Sequence, residues 1–277
     1  MRYFCFSVFL SLVLGSSQNA LAENTAPSVA EFPGQIEVLN SHNISNLIDG
    51  VVTEVHFKPG QFVEVGDILY SIDPALYELA LKTRRLNTVR AETALVSARQ
   101  DLERIKKLKD RGSATEVQLL KAEVALDVGE AMIEQAKAEL KLAEFDLEAT
   151  KIRAPISGVI SHSEVYPGAY VETGREPLAR IDQMDPVRLS FKLPYVERIE
   201  QLVVDDLRSP SEVLDKFTLQ IRLSETWVYS ETTKPENISS RVDPSDGTLT
   251  VWSELANPNF QLRPGMSVTV LSVMNPE

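Results

Sequence analysis

Of 277 residues only one is cysteine, Cys5, and it lies inside the first apolar run. Past that run the chain has no thiol for a disulfide, a nucleophile or a metal centre. Positive charge is scarce as well: 28 Lys and Arg stand against 40 Asp and Glu, a net charge of −12. Nucleic acid is thereby excluded as a partner, because a grip on phosphates rests on clustered Lys and Arg. The three histidines, His42, His56 and His162, are scattered. His56 and His162 fall in comparable strands but are read as surface histidines rather than as a metal site or pH sensor. There is no G-x-S-x-G, no Walker loop and no G-x-G-x-x-G, so no enzyme activity and no cofactor are expected. Nor does any stretch reach the ~20 apolar residues that span a bilayer.

What is present begins with Arg2, the apolar run Phe4 to Leu14, polar Ser16 to Asn19, and Ala20-Leu21-Ala22. That order predicts a secretory signal over residues 1–22 with an A-x-A cleavage site. Cys5 lies far from that site and is not a lipoprotein acceptor. The mature chain is expected to be exported and without an anchor of its own.

Self-comparison finds two copies of one pattern, offset by 108 residues. Gly50-Val51-Val52, Pro59-Gly60, Val63-Glu64, Gly66 and Ile72-Asp73 recur as Gly158-Val159-Ile160, Pro167-Gly168, Val171-Glu172, Gly174 and Ile181-Asp182. The glycine intervals of ten and six residues are the same in both copies. Alternating β-type runs interrupted by Pro-Gly predict half a small β-sandwich in each copy, with Gly50, Gly60, Gly66, Gly158, Gly168 and Gly174 as its turn positions. Neither half covers its own apolar face, so the two are expected to pack together as one domain.

Between them the chain has no proline after Pro74 and is rich in strong helix formers. Leu119, Ala122, Leu126, Gly129, Ile133, Ala136, Leu140, Ala143 and Leu147 keep a 3-4 spacing over four heptads, and Leu81, Thr88, Ala91, Leu95, Ala98, Leu102 and Ile105 keep it more loosely. The spacing predicts two helices meeting along a coiled-coil seam. Their break falls at Gly112, with Ser113 or Thr115 as the next N-cap. At ~1.5 Å per residue, each arm of this antiparallel hairpin would extend roughly 50 Å from the body.

From Pro186 onward, strands are expected at Val187–Leu193, Phe217–Leu223, Ile238–Val242, Thr248–Leu255 and Met266–Val273, with a short helix from Pro194 to Val203. Turn signals at Asp243-Pro244-Ser245-Asp246-Gly247 and Arg263-Pro264-Gly265 separate the later strands, and the set reads as a small β-barrel.

Taken together, these residues resemble the periplasmic adaptor subunits, or membrane fusion proteins, of tripartite efflux pumps, the HlyD/RND adaptor family. The resemblance rests on Gly50 to Asp73, the returning Ala154-Pro155-Ile156-Ser157-Gly158-Val159-Ile160, and the late pair Val242 to Thr248 and Leu262-Arg263-Pro264-Gly265-Met266. It implies an elongated α+β protein of several domains: signal peptide 1–22, N-terminal segment 23–43, lipoyl-like half 44–73, coiled-coil hairpin 74–152, second lipoyl-like half 153–183 and β-barrel 184–277. A membrane-proximal domain is expected to be missing or minimal. The resemblance further implies a periplasmic location, an inner-membrane RND-type transporter and a TolC-type outer-membrane channel as partners, and self-association into a ring. Adaptors for ABC-type exporters share the first two parts, and a structural envelope coiled coil is the reading from another class. By the same resemblance, Arg104, Leu108 and Thr115 would dock on the channel, Thr115 standing where the family carries Ser. Arg104 to Arg111 is the most basic stretch of the chain and would sit at that tip. The lysine that lipoyl carriers modify belongs on the turn that the hairpin replaces, so no swinging arm is expected.

Overall fold

The computed structural model describes residues 29–195, 214 and 216–274. The expected signal segment and nearly all of the expected Pro194–Val203 helix lie outside these residues. No helix among them is long and apolar enough to cross a membrane.

The repeat builds one β-sandwich from two interleaved halves. β2 (Ser41–Ile44), β9 (Ala179–Asp182), β7 (Gly158–Ile160) and β4 (Phe62–Val63) form one four-stranded sheet. β6 (Lys151–Arg153), β5 (Ile68–Ile72), β3 (Gly50–Val55) and β8 (Tyr170–Val171) form the other. Each sheet therefore takes two strands from each copy, so neither half exists as a sheet alone. Ile44, Val52, Val63, Leu69, Tyr70 and Ile72 meet Ile160, Val171, Leu178 and Ile181 in one core. Gly60 and Gly168 turn with φ of 78° and 93°, Gly66 and Gly174 with 91° and 80°, and Gly265 at a later turn with 92°. Gly50 and Gly158 are not turns: they open strands β3 and β7. A Cβ on Gly50 would stand 2.5 Å from Ile72 Cγ2, and one on Gly158 would stand 2.4 Å from the Asp182 carbonyl oxygen. These equivalent glycines permit the same close strand crossing in both copies.

Helices α1 (Ala75–Asp110) and α2 (Glu116–Glu148) form the inserted hairpin. By length they extend about 54 and 50 Å at ~1.5 Å per residue. Every seam residue named from the sequence is buried or half-buried, with Thr88 and Leu102 on α1 and Gly129, Ile133, Ala136 and Ala143 on α2 the most enclosed. Gly129 lets α2 lie on Leu95, whose Cα is 3.4 Å from where a Cβ would be. Thr88 Oγ1 bridges the seam to the Ala136 carbonyl at 3.3 Å, and Arg84 spans it to Glu139 at 2.8 Å. The base is bolted to the sandwich, because Tyr77 Oη donates to the Asp49 carbonyl at 2.7 Å and Ile72 N to Thr150 O at 2.8 Å.

The remaining strands, β1 (Val29–Glu37), β10 (Val187–Pro194), β11 (Phe217–Ser224), β12 (Trp227–Thr233), β13 (Asn237–Ile238), β14 (Thr248–Leu255) and β15 (Ser267–Met274), form one antiparallel sheet in the order β12-β11-β15-β1-β10-β14-β13. The chain's first described strand is thus central, pairing Val29–Gln35 with Val273–Ser267 and Gly34–Glu37 with Phe191–Arg188. Beyond the sequence expectation, β1 and β12 join this sheet, and β13 is only two residues long. The sheet curls around a second core of Ile36, Leu189, Phe191, Leu219, Ile221, Val251, Leu255 and Val270. Hydroxyls draw its far strands together: Thr233 Oγ1 lies 2.8 Å from Ser253 Oγ and donates to Glu254 O at 2.6 Å.

Candidate docking site at the hairpin tip

The turn joining α1 to α2 is closed by backbone chemistry at both ends. Gly112, at φ 71°, donates its N–H to Lys109 O, and Ser113 N–H donates to Leu108 O, both at 2.8 Å. This pair is the Schellman arrangement, which satisfies carbonyls that the helix end leaves without partners. On the other side Thr115 caps α2. Gln118 N donates to Thr115 Oγ1 at 3.3 Å while Thr115 N donates to Gln118 Oε1 at 2.8 Å, a reciprocal capping box. The sequence pointed to Thr115 as a cap but not to Gln118 as its partner.

A shallow open groove of about 330 Å³ runs along the last turns of α1, lined by Gln100, Glu103, Arg104, Lys107, Leu108 and Arg111. The i, i+3, i+4, i+7, i+8, i+11 spacing of these six residues puts them on one face. Of the three residues implied by family resemblance, the structure brings Arg104 and Leu108 together here and assigns the hydroxyl of Thr115 to the helix cap. Arg104 is exposed and pairs with Asp101 at 2.8 Å, one turn back. Leu108 is half-buried, and its carbonyl belongs to the cap just described.

Charge at the tip is mostly matched locally. Lys107 bonds Glu103 at 2.8 Å, and Lys109 reaches across the turn to Glu116. The Lys107 hydrogen bond holds the Glu103 carboxyl below its ordinary range, and Glu103 raises Lys107 in return. Both are exposed, so these pairs order the side chains more than they stabilise the fold. Arg111 has no ion-pair partner among the described residues, which leaves one unmatched cation lining the groove beside the apolar Leu108. The lining roles of Gln100, Glu103, Lys107 and Arg111 are absent from the sequence expectation, although the helical spacing from Arg104 and Leu108 carries the signal.

The histidines do not converge. His56 Nε2 lies 2.7 Å from Ser71 Oγ, and His162 Nε2 lies 2.9 Å from Glu164. Among the described residues no group of three His, Cys, Asp or Glu is placed to hold a metal ion.

Comparison with known proteins matches residues 40–183 to the family profile described as RND MFP, barrel-sandwich hybrid domain. The efflux pump periplasmic linker BepD of Brucella suis is 26% identical, over 95% of this chain and 72% of its own length. The multidrug resistance protein MdtA of Proteus mirabilis is 27% identical over 90% and 59%, and the multidrug/solvent efflux pump periplasmic linker protein MepA of Pseudomonas putida is 29% identical over 86% and 59%. The chain thus spans from 59 to 72% of the length of these relatives. Among solved structures, the membrane fusion protein Spr0693 from Streptococcus pneumoniae superposes with a TM-score of 0.64 at 14% identity, covering 90% of this chain and 100% of that one. MacA from Actinobacillus actinomycetemcomitans superposes with 0.61 at 22%, covering 90% and 79%.

Proposed function

This chain belongs to the RND membrane fusion proteins, the family of the barrel-sandwich hybrid domain, and on that premise we propose that it is a non-catalytic periplasmic adaptor. In this reading it links an inner-membrane RND-type transporter to a TolC-type outer-membrane channel for the efflux of small molecules. The observation that carries the reading is the hairpin itself. Two helices of 36 and 33 residues rise from inside a split β-sandwich and end in a capped tip that presents Arg104 and Leu108. A rod rooted in a domain at both of its ends holds its tip at a fixed, distant point. The seven-stranded sheet is read as the family's β-barrel, and residues 74–152 as its hairpin domain.

Each tip offers a small contact, far below a standard stable interface, so affinity would come from several tips engaging together. Apolar residues on the outer faces of both helices support such a ring. Leu79, Leu86, Val89 and Val96 on α1, and Val117, Val124, Leu142 and Phe145 on α2, are exposed although the inner seam is already filled. Their helical spacing puts each set on the side of its helix away from the seam, where a neighbouring hairpin would cover it.

Site-specific photocrosslinking in the native envelope with the probe at Leu108, followed by mass spectrometry, tests the tip contact. Capture of an outer-membrane channel supports it. Capture of this chain's own copies alone, with the probe efficiently incorporated, removes the connector and leaves a self-associating envelope coil. Copurification of an ATP-hydrolysing transporter in place of a proton-driven one would move the partner to the ABC class.

A further inference from the structure

The sandwich and the seven-stranded sheet have separate cores with no residue in common. Two linkers join them, residues 38–40 and 183–186, and they run side by side: Asn40 Nδ2 donates to Gln183 Oε1 at 2.7 Å and Gln183 N to Asn40 O at 2.9 Å. A third connection is made by the loop between β14 and β15. Its Asn257 is fully buried and fully bonded. Asn257 N donates to Asp185 Oδ1 at 2.7 Å, its Nδ2 to Met184 O at 2.7 Å and Leu262 O at 2.9 Å, and its Oδ1 accepts from Leu262 N at 3.0 Å. One side chain therefore fixes the loop to itself and to the linker.

Three residues on, Phe260 N–H donates to Asn257 O at 2.9 Å, and Phe260 adopts φ 52°. It is the only non-glycine residue with positive φ among the described residues. A bulky side chain is sterically disfavoured there and persists only where its surroundings impose it. What the conformation achieves is visible in the ring, which stacks on Phe62 with centroids 5.3 Å apart and planes 22° apart. Phe62 belongs to the edge strand β4 of the sandwich and is 42% exposed. No other ring pair among the described residues joins the two bodies.

We propose that the Phe62–Phe260 stack is an interdomain latch, which holds the hairpin-bearing sandwich at one angle to the seven-stranded sheet. Closing it gains a ring contact and strains one backbone position; opening it loses the contact and relaxes the strain. In the intact protein the ring contact outweighs the strain and the closed state is the populated one, and the body carrying the hairpin turns about the paired linkers when the rings part. Asn257 confines the change to Phe260 by anchoring the loop that carries it. The latch does not depend on the pump reading.

The test is a distance measurement between spin labels on the full chain with Cys5→Ser, one label at Val65→Cys on the sandwich and one at Glu225→Cys on the sheet. The parent protein is expected to give one narrow distance distribution. Phe62→Ala, which removes the ring, and Phe260→Gly, which removes both ring and strain, should each broaden it or add a second peak, while Phe62→Tyr keeps it narrow. Circular dichroism and thermal unfolding establish that each variant is folded, as the exposure of Phe62 leads one to expect. A parent distribution that is already broad, variants that superimpose on the parent, or broadening in only one of the two ring deletions overturns the latch.

Discussion

The phenol hydroxyl of Tyr70 donates a 2.8 Å hydrogen bond to the carbonyl of Leu178, 108 residues further on. That separation is the offset of the internal repeat, so the bond ties one copy to the matching region of the other. The same oxygen lies 2.9 Å from Ser163 Oγ, also in the second copy. A second tie runs the same way, with Asp49 Oδ1 accepting from Thr173 N at 2.7 Å and from its hydroxyl at 2.9 Å. Two half-sandwiches that are separated by the whole hairpin in sequence are thereby one folding unit.

Tyr70→Phe should destabilise the sandwich by about 0.5–1.5 kcal/mol, because the buried Leu178 carbonyl loses one of its two donors and keeps the 2.9 Å bond from Glu164 N. Urea unfolding monitored by circular dichroism checks this. Burial pushes the Tyr70 hydroxyl up to about 12. Between the ordinary tyrosine value of 10 and about 12 the unfolded chain ionises first, so the parent protein should lose stability as pH rises through that window. Tyr70→Phe is expected to flatten that part of the profile.

At Gly158 the prediction is steric. An alanine would set its Cβ 2.4 Å from backbone at Asp182, which cannot move like the end of a side chain. Gly158→Ala should lower sandwich stability by about 1–3 kcal/mol, the usual scale of overpacking. Thermal unfolding of the variant beside Gly168→Ala, a turn position with open space, separates crowding from backbone strain.

Thr115→Ala should remove the cap of α2 at a cost of about 0.5–2 kcal/mol, and Thr115→Ser should retain it. Hydrogen exchange across residues 113–120 reads the loss as faster exchange at the tip, with the hairpin base unchanged. Should Thr115→Ser restore both tip protection and efflux, the hydroxyl serves docking by shaping the tip.

Replacing Leu108 by Ser or Arg104 by Asp should abolish efflux while leaving the fold intact, since both side chains face the open groove of α1 and not the seam. Drug-susceptibility assays beside circular dichroism decide it. Normal efflux with both changes removes the docking assignment.

Leu86→Glu and Leu142→Glu place charge on the outer faces of α1 and α2, where both residues are exposed. Their effect on the isolated chain should fall within about 0.5 kcal/mol, as for other surface changes. Crosslinking in the envelope should nevertheless show loss of self-association, because each charge would be buried unpaired between neighbouring hairpins.

How much of this was legible in advance varies with the range of the interactions involved. The seam from Leu119 to Leu147 and from Leu81 to Ile105 is a local pattern, and every residue named in it is enclosed in the structure. The glycines at 60, 66, 168 and 174 were legible because positive φ is a demand of the single residue. Strand β1 was not, since Val29–Glu37 contains Pro33 and Gly34 and gains its place only by pairing with β10 and β15, more than 150 residues away. Gly34 fits there because a Cβ would meet Val270 Cγ2 at 2.7 Å. Strand β12 was hidden for a related reason: Trp227 and Val228 are exposed, and register shifts break its ladder with β11, so no clean alternation marks it.

The sequence by itself determined the repeat, the hairpin and its seam, because each is a periodicity or a residue's own backbone preference and needs no distant partner to be read. Only the tertiary structure decided that the two copies interleave strand by strand, that β1 lies at the centre of the far sheet, and that Phe260 crosses to Phe62. Each of these is a contact between segments far apart in the chain. Such contacts are settled by which surfaces must leave water together, and local pattern does not record them.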